Sequence, residues 1–408
     1  MMRSVPLSAL RGASRLVVEA TIGVTDLVET MHVSVTSPPR SGAAVAQRKR
    51  GISGFVYRSV RRVTRWVGGG IDVGLASLAP VLEPPAASAE APPSLKREAM
   101  LAALNGVVGD HLEASGNPLA IPMEFRRDGR TLDPARERGS RILLLVHGLC
   151  RSDVQWRRHG HDHGERLAVE LGLTPVYLRF NSGRSIAANG RELAERLDTF
   201  LKSWPEPVTE LVVLAHSLGG LVMRSACHVA ESEGLGWRER LRKVVFLGTP
   251  HHGAPLERGG NWLNLALGAT SYTAAFARLG RLRSAGITDL RHGQILPNPG
   301  ENRFARGSGR AASPPLPRGV ACYAAAATLA ADPGATVKAK VKALLGDGLV
   351  PVASALGDHR DPARALAIPA ERRWIGYGMG HLDLLDRPDV YAQIREWLAA
   401  GTPPPARI

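Results

Sequence analysis

The chain has 408 residues, 44% hydrophobic and 22% charged, a globular composition that excludes a wholly disordered or fibrous protein. Its net charge of +15 raises the question of a nucleic acid or an anionic membrane as a partner. The three cysteines, Cys150, Cys227 and Cys322, lack the spacing of a zinc site and are predicted to be reduced thiols.

Residues 1–82 are predicted to form an amphipathic helical extension. Apolar residues recur every three or four positions from Val17 to Met31 and again from Phe55 to Val67, which would place one apolar stripe on each helix. The second stripe is accompanied by Arg58, Arg61, Arg62 and Arg65. Such a helix can contact an anionic membrane surface or pack on the rest of the protein, and both alternatives stay open.

The Pro- and Ala-rich residues 83–98 are predicted to be a linker before one large domain at 99–401. Residues 1–98 carry 13 basic and 7 acidic residues, so the positive charge is densest in the extension. No basic motif interleaved with aromatic residues accompanies it, which argues against nucleic acid. The start lacks a secretory pattern and no apolar run could span a bilayer, so a cytoplasmic location, with or without peripheral membrane contact, is expected.

After the linker, a hairpin is predicted around Asp128-Gly129, and short buried strands then alternate with helices. The strands are predicted at Ile142–Val146, Pro175–Arg179, Leu211–Ala215, Val244–Leu247 and Ala321–Ala327, and the helices at about 184–203, 218–231 and 388–399. This alternation predicts a mostly parallel α/β sheet covered on both faces. Ligands of such sheets bind at the carboxyl ends of the strands, where functional residues are therefore expected.

The strand Leu211–Ala215 is followed at once by His216-Ser217-Leu218-Gly219-Gly220 and then by a helix. This segment resembles the nucleophile elbow of the α/β-hydrolase family, G-x-S-x-G, with Ala215 in place of the first glycine. The resemblance implies that Ser217 is a nucleophile at the top of the sheet. The alternative is a serine that only caps a structural helix.

Two further segments resemble those of bacterial lipases. Gly380-His381-Leu382-Asp383, before the last helix, is similar to their histidine segment, and Gly346-Asp347-Gly348-Leu349-Val350 to that of their catalytic aspartate. The resemblance implies His381 as general base and Asp347 as the carboxylate that orients it. Asp332 and Asp358 are rival acids, and Asp383 is interpreted as a local hydrogen-bonding residue or a calcium ligand.

An oxyanion hole needs two backbone donors. The resemblance implies the N–H of Leu218, next after the serine, and that of Leu149 in His147-Gly148-Leu149-Cys150, which follows the strand Ile142–Val146.

Two histidine-rich segments remain. The segment His159-Gly160-His161-Asp162-His163 contains residue types that can bind a metal, but its alternate spacing in a glycine-containing loop gives no preformed tetrahedral site. Its histidines are therefore interpreted as polar loop residues. His251 and His252 lie in Thr249-Pro250-His251-His252-Gly253, which resembles a lipase segment before the cap and is predicted to shape the rim of the site.

The resemblance covers about residues 120–400 and implies an α/β-hydrolase fold with a cap or lid insertion at 254–318. It implies a serine hydrolase, without cofactor or metal, that cleaves carboxylic esters, with lipids or other hydrophobic acyl esters favoured. An acyltransferase or thioesterase would use the same Ser-Asp-His residues. A catalytically inactive, membrane-associated scaffold on a hydrolase fold is the alternative from another class.

Overall fold

A computed structural model describes residues 8, 10–19, 21–22, 62, 95–254, 284–297, 314–331 and 346–401. The chain divides into two compact units, one of Met1–Ala91 with Leu112–Ala120 and one of Pro92–His111 with Ile121–Ile408. Most of both predicted N-terminal helices and of the predicted cap lies outside the described residues. No helix of the described ranges is long and apolar enough to cross a membrane.

In the first unit, residues 10–19 are helical. Asn117 Nδ2 donates a hydrogen bond of 3.1 Å to the carbonyl of Gly12, and Arg15 Nη1 donates one of 3.1 Å to the carbonyl of Gly116. The described part of this helix is therefore tied to the segment at 112–120 of the same unit.

The second unit is built on an eight-stranded sheet with the order β2-β1-β4-β3-β5-β6-β7-β8. Strands β1 and β2 form the predicted hairpin, β1 pairs antiparallel with β4, and the remaining neighbours pair in parallel. The strands are β1 Glu124–Arg127, β2 Arg130–Thr131, β3 Arg141–Val146, β4 Thr174–Arg179, β5 Glu210–His216, β6 Leu241–Leu247, β7 Ala321–Thr328 and β8 Arg373–Tyr377.

Seven α-helices are described in the range 95–401: α1 Leu95–Ala114, α2 His163–Leu171, α3 Ile186–Lys202, α4 Leu218–Glu233, α5 Ala285–His292, α6 Val352–Ala355 and α7 Pro388–Ala399. The five predicted strands and three predicted helices are confirmed to within a few residues. Helix α1 begins at Leu95, so the last four residues of the predicted linker are helical, and residues 83–94 lie outside the described ranges.

The start of α1 is held by a contact that is distant in sequence. Glu98 is buried, and its Oε2 accepts a hydrogen bond of 3.2 Å from Arg179 Nε at the end of β4. A buried carboxylate needs such a partner, because an unpaired charge in the interior is strongly unfavourable. The Pro-, Ala- and Ser-rich composition of residues 83–98 gives no indication of this pairing, because the partner is far away in the sequence.

The sheet is covered on both faces. On one face, Leu145 and Val245 pack in a core with Leu167 of α2 and Ile394 and Trp397 of α7. Successive side chains of a strand point to opposite faces of the sheet. Leu144 and Val244, which alternate with these residues, are also buried, so the second face of the sheet is covered too. Because β3, β5, β6, β7 and β8 pair in parallel, their carboxyl ends lie along the same edge of the sheet.

Candidate active site

Ser217 occupies a strained turn between β5 and α4. Its backbone angles are φ 54° and ψ −124°, in a region that non-glycine residues rarely adopt. The turn is so tight that a Cβ on Gly219 would lie 2.5 Å from the carbonyl oxygen of Val146. Such a turn raises the serine above the carboxyl end of the strand at the start of a helix, as in a nucleophile elbow.

Asp347 and His381 form a buried hydrogen-bonded pair. They are only 1% and 3% exposed, and His381 Nδ1 donates to Asp347 Oδ2 over 2.7 Å. The other oxygen, Oδ1, accepts hydrogen bonds from the amides of Leu349 at 2.9 Å and Val350 at 2.8 Å. With Nδ1 donating its proton to the carboxylate, Nε2 of the neutral imidazole is left as an acceptor.

The loop that carries Asp347 depends on a glycine. Gly346 has φ 66°, and a Cβ there would lie 1.8 Å from the carbonyl oxygen of Val350. Only glycine fits such an approach at a positive φ without strain. The geometry of this loop therefore requires the glycine that precedes Asp347 in the sequence motif.

His381 lies close to the serine turn. The rings of His216 and His381 are 4.7 Å apart between centroids, and a Cβ on Gly248 would lie 3.0 Å from His381 Cε1. The amide of Ser217 donates to the carbonyl of Leu247, the residue before Gly248, over 2.8 Å. Among the described residues no hydrogen bond joins Ser217 Oγ to His381.

The rival acid Asp358 and the nearby Asp383 have other partners. Asp358 Oδ1 accepts a hydrogen bond of 2.7 Å from Arg373, and Asp383 Oδ2 accepts one of 2.8 Å from the amide of Gly380. Asp383 is thus a local hydrogen-bonding residue, one of the two interpretations above. The described part of the chain contains no cluster of three or more His, Cys, Asp or Glu that could hold a metal. Asp332 lies outside the described residues.

The loop after β3 lies directly against the serine. A Cβ on Gly148 would be 3.0 Å from Ser217 Cβ. His147 anchors this loop: its Nδ1 donates to the carbonyl of Gly148 over 2.8 Å, and its Nε2 accepts from the amide of Phe180 over 3.3 Å. Burial lowers the pKa of His147 to about 3, so the ring stays neutral and can serve both roles.

The two predicted oxyanion donors are Leu218, which follows Ser217 in the chain, and Leu149, in the loop after β3. Leu218 is the first residue of α4, so its N–H has no acceptor within the helix and lies at the positive end of the helix dipole. Leu149 is buried in the loop after β3, between Gly148 and Cys150. The amide of Cys150 donates to Ser182 Oγ over 3.0 Å and so restrains this loop. Their role as donors remains a prediction.

Two other groups of histidines have structural contacts. His161 Nε2 donates to His163 Nδ1 over 2.7 Å, and His163 Nε2 donates to the carbonyl of Leu384 over 3.0 Å. His251 is buried beside Phe246, and the ring of His252 contacts the carbonyl of Gly357 over 3.0 Å. His251 is therefore a buried, packed residue, and the role of its segment in shaping the rim of the site remains a prediction.

His216 is a residue of the site for which no role was predicted. His216 is buried, and its Nε2 donates to the carbonyl of His381 over 3.3 Å. Burial, with a smaller contribution from nearby His381, holds its pKa well below the usual value, so it supports the loop as a neutral ring. Its position directly before Ser217 in the chain is the signal that could have identified it.

The chain is similar to one family of unknown function and to several lipases and esterases of known structure. Residues 122–290 match a family model described as a domain of unknown function (DUF7379). No curated protein matches the sequence significantly. The chain is similar to the mature lipase BlEst2 of Bacillus licheniformis, with 17% identity over 69% of this chain and 98% of that one and a TM-score of 0.42.

It is also similar to lipase B of Aspergillus fumigatus, with 14% identity over 72% of this chain and 59% of that one and a TM-score of 0.39. A thermophilic esterase from Thermogutta terrifontis matches with 17% identity over 68% of this chain and 93% of that one, at a TM-score of 0.35.

The chain has the α/β-hydrolase fold. This rests on its own topology: an antiparallel β1 beside the parallel series β4-β3-β5-β6-β7-β8, and a strained serine turn between β5 and α4. The predicted fold class is thereby confirmed for the described residues of the second unit.

Proposed function

We propose that this protein is a serine hydrolase that cleaves carboxylic esters through an acyl-enzyme. Ser217 Oγ attacks the ester carbonyl while His381 Nε2 takes up its proton, and Asp347 orients and stabilises the resulting imidazolium. The amides of Leu149 and Leu218 stabilise the oxyanion. His381 returns the proton to the leaving alcohol, and water activated by His381 then releases the acid.

The buried pair of Asp347 and His381 is the observation that carries this proposal. A carboxylate and an imidazole this deeply buried would be unfavourable without a partner, and each satisfies the other over 2.7 Å. The pair lies next to a serine held in a strained conformation. Strain of this kind is typically retained where function requires it.

Lipids or other hydrophobic acyl esters are the substrates we favour, because the lipase-like segments of the sequence occur together. A thioesterase or acyltransferase would share every step up to the acyl-enzyme and differ in the group that enters or leaves. An inactive scaffold is disfavoured, since it would have no need for the buried acid–base pair beside Ser217.

Labelling with a fluorophosphonate probe tests the proposal directly, since the probe reacts with an activated serine. We expect one label per chain, located at Ser217 by peptide mass spectrometry, and hydrolysis of 4-nitrophenyl butyrate. Ser217→Ala should lose both while its thermal unfolding stays near that of the parent.

The matched control is Ser232→Ala, an exposed serine on the same helix whose hydroxyl donates to the carbonyl of Val229 over 2.9 Å. It should label and hydrolyse like the parent protein. A folded parent protein without label or turnover would contradict the proposal. A series of esters of increasing acyl length, dissolved and emulsified, then separates esterase from lipase behaviour.

A further inference from the structure

The proposed base His381 is the first residue of a short 3₁₀-helix, His381–Leu385. A 3₁₀-helix has poorer hydrogen-bond geometry than an α-helix, and runs longer than about four residues are uncommon. This helix therefore depends on contacts with other parts of the protein. Its position decides how far the imidazole of His381 reaches toward Ser217.

Two contacts hold the backbone of His381 from the side of the serine turn and the acid loop. The carbonyl of His381 accepts a hydrogen bond of 3.3 Å from His216 Nε2, and its amide donates to the carbonyl of Asp347 over 3.3 Å. Both bonds act at the first residue of the helix. Contacts farther along the helix come from residues 158–163, at the start of α2.

Residues 158–161 form a tight turn. The N–H of Arg158 donates to the carbonyl of His161, and the N–H of His161 donates to the carbonyl of Arg158, each over 2.8 Å. Between them, His159 and Gly160 have φ angles of 48° and 78°. Positive φ at both central residues is typical of a type I′ turn. The backbone that carries Arg158 is therefore fixed by its own hydrogen bonds.

Arg158 pairs with two carboxylates of the segment that carries His381. Its Nε donates to Asp386 Oδ2 over 3.0 Å, and its Nη2 lies 3.6 Å from Asp383 Oδ1. The other oxygen of Asp383 accepts a hydrogen bond of 2.8 Å from the amide of Gly380, the residue before the helix, and Asp386 is the residue after it. One guanidinium is thus linked to the start of the helix through Asp383 and to its end through Asp386.

The pair of Arg158 and Asp386 is largely shielded from water, since the two side chains are 25% and 10% exposed. Shielded ion pairs are weakened less by salt than exposed ones. Two neighbouring contacts act in the same direction: His159 Nδ1 contacts Asp386 Oδ2 over 2.5 Å, and His163 Nε2 donates to the carbonyl of Leu384 over 3.0 Å. Residues 158–163 therefore hold the far side of the helix.

We propose that Arg158 is a positioning residue for His381. Its ion pairs with Asp383 and Asp386 hold the 3₁₀-helix at the distance from which the imidazole reaches the serine. This inference rests on the proposed function, to which it adds a residue from a segment that the reaction itself does not use. A displacement of about 1 Å can cost about 100-fold in rate, so a loosened helix should slow proton transfer and leave substrate binding unchanged.

The kinetic test measures kcat for 4-nitrophenyl butyrate per serine that a fluorophosphonate probe labels at completion. Arg158→Gln should lower kcat per site roughly 10- to 100-fold, with KM near that of the parent protein. Arg158→Lys, which keeps the charge but not the planar fork, should retain part of the lost kcat. A merely structural role would reduce the number of labelled sites and leave kcat per site unchanged, which would overturn the proposal.

A double-mutant cycle tests whether Arg158 acts through Asp386. Asp386→Asn alone should also lower kcat per site. The double variant should lose much less than the product of the two single losses, because both changes break the same ion pair. Losses that multiply would show that the two residues act independently and would contradict the proposal.

The matched control is Arg141→Gln, which also removes one charge and one ion pair. Arg141 Nε lies 2.7 Å from Glu210 Oε2 at the amino ends of β3 and β5, the edge of the sheet opposite Ser217. This variant should keep the parent kcat per site.

A spectroscopic test does not depend on turnover. The proton on His381 Nδ1, hydrogen-bonded to Asp347, should give a proton NMR resonance far downfield, assigned by its loss in His381→Gln. In Arg158→Gln this proton should exchange faster with water, and an unchanged resonance would count against the proposal. If the parent protein neither labels nor hydrolyses an ester, the proposed function fails, while the resonance still shows whether Arg158 holds His381.

Discussion

Asp347 is held at both of its oxygens, one by His381 Nδ1 at 2.7 Å and the other by the amides of Leu349 and Val350. The carboxylate cannot rotate without breaking several hydrogen bonds in a buried site. The histidine ring therefore has one favoured tautomer, with its proton on Nδ1 and its lone pair on Nε2.

Asp347→Asn tests this arrangement. The remaining carbonyl oxygen can still accept from the backbone amides, but the new amide nitrogen would face His381 Nδ1 and favour the opposite tautomer. We expect kcat for 4-nitrophenyl butyrate to fall by roughly 10⁴-fold, as when the same change is made in a serine protease triad. Thermal unfolding should show that the variant is folded.

The matched control is Asp361→Asn, which also accepts a hydrogen bond from a backbone amide, that of Ala363 at 3.1 Å, but is exposed. It should keep the parent kcat. An Asp347→Asn variant with near-parent turnover would exclude Asp347 as the orienting acid.

Gly219→Ala is expected to damage both stability and reactivity. The added methyl group would lie 2.5 Å and 2.6 Å from the carbonyl oxygens of Val146 and His147, which belong to the end of β3 and the following loop. Overpacking of this kind costs about 1–3 kcal/mol in the free energy of unfolding. Urea denaturation measures this cost, and the rate of fluorophosphonate labelling at Ser217 should fall.

Gly236→Ala provides the comparison, because its added methyl group would meet no atom closer than Asp198 Oδ1 at 3.8 Å. Its free energy of unfolding should stay within about 0.5 kcal/mol of the parent value. Equal stability of the two variants would show that the serine turn is less tightly packed than described.

Acid should destabilise the protein through its buried histidines. Burial lowers the pKa of His163 to about 4, against about 6.5 in an unfolded chain. Between these values the unfolded state binds a proton that the native state does not. The contribution of His163 to the free energy of unfolding is therefore fully present above about pH 6.5. It falls by about 1.4 kcal/mol per pH unit as the pH is lowered from about 6.5 to about 4.

His163→Gln should reduce this pH dependence by about one proton. The measurement is the slope of the free energy of unfolding against pH, from urea denaturation at several values between about pH 6.5 and 4. His228→Gln, at an exposed position on α4, is the control and should keep the parent slope. An unchanged slope in His163→Gln would show that His163 takes up a proton in the folded protein.

Lys243 stabilises the end of the last helix. It is buried, and its Nζ donates to the carbonyls of Trp397 at 3.1 Å and Leu398 at 2.9 Å, and also to that of Ala400. These carbonyls have no partner within α7, because the last turn of a helix leaves them free. Lys243→Met keeps the apolar stem but should lower the free energy of unfolding by about 2 kcal/mol.

Lys202→Met is the matched change at an exposed lysine, whose ion pair with Asp198 lies on the surface of α3. Exposed pairs contribute about 0–1 kcal/mol, so a smaller loss is expected in urea denaturation. Equal losses in the two variants would show that the buried hydrogen bonds of Lys243 add nothing.

Local sequence patterns were sufficient to predict the sheet and the position of the serine turn. Buried parallel strands are short runs of apolar residues, and a small residue, a serine and a glycine after such a run indicate the elbow. The strands β3 to β7 and the helices α3, α4 and α7 were predicted for this reason. The elbow is local in sequence, so the strain at Ser217 could be anticipated too.

Long-range contacts were beyond that reasoning. The helix α1 was missed because its first turn is held by the pairing of Glu98 with Arg179, 81 positions away.

The sequence by itself thus determined the class of fold and the candidate serine, acid and histidine, because each lies in a short motif at the end of a strand. Only the tertiary structure decided that Asp347 pairs with His381 and that the rival acid Asp358 pairs with Arg373. Such pairings depend on burial and on contacts between distant segments.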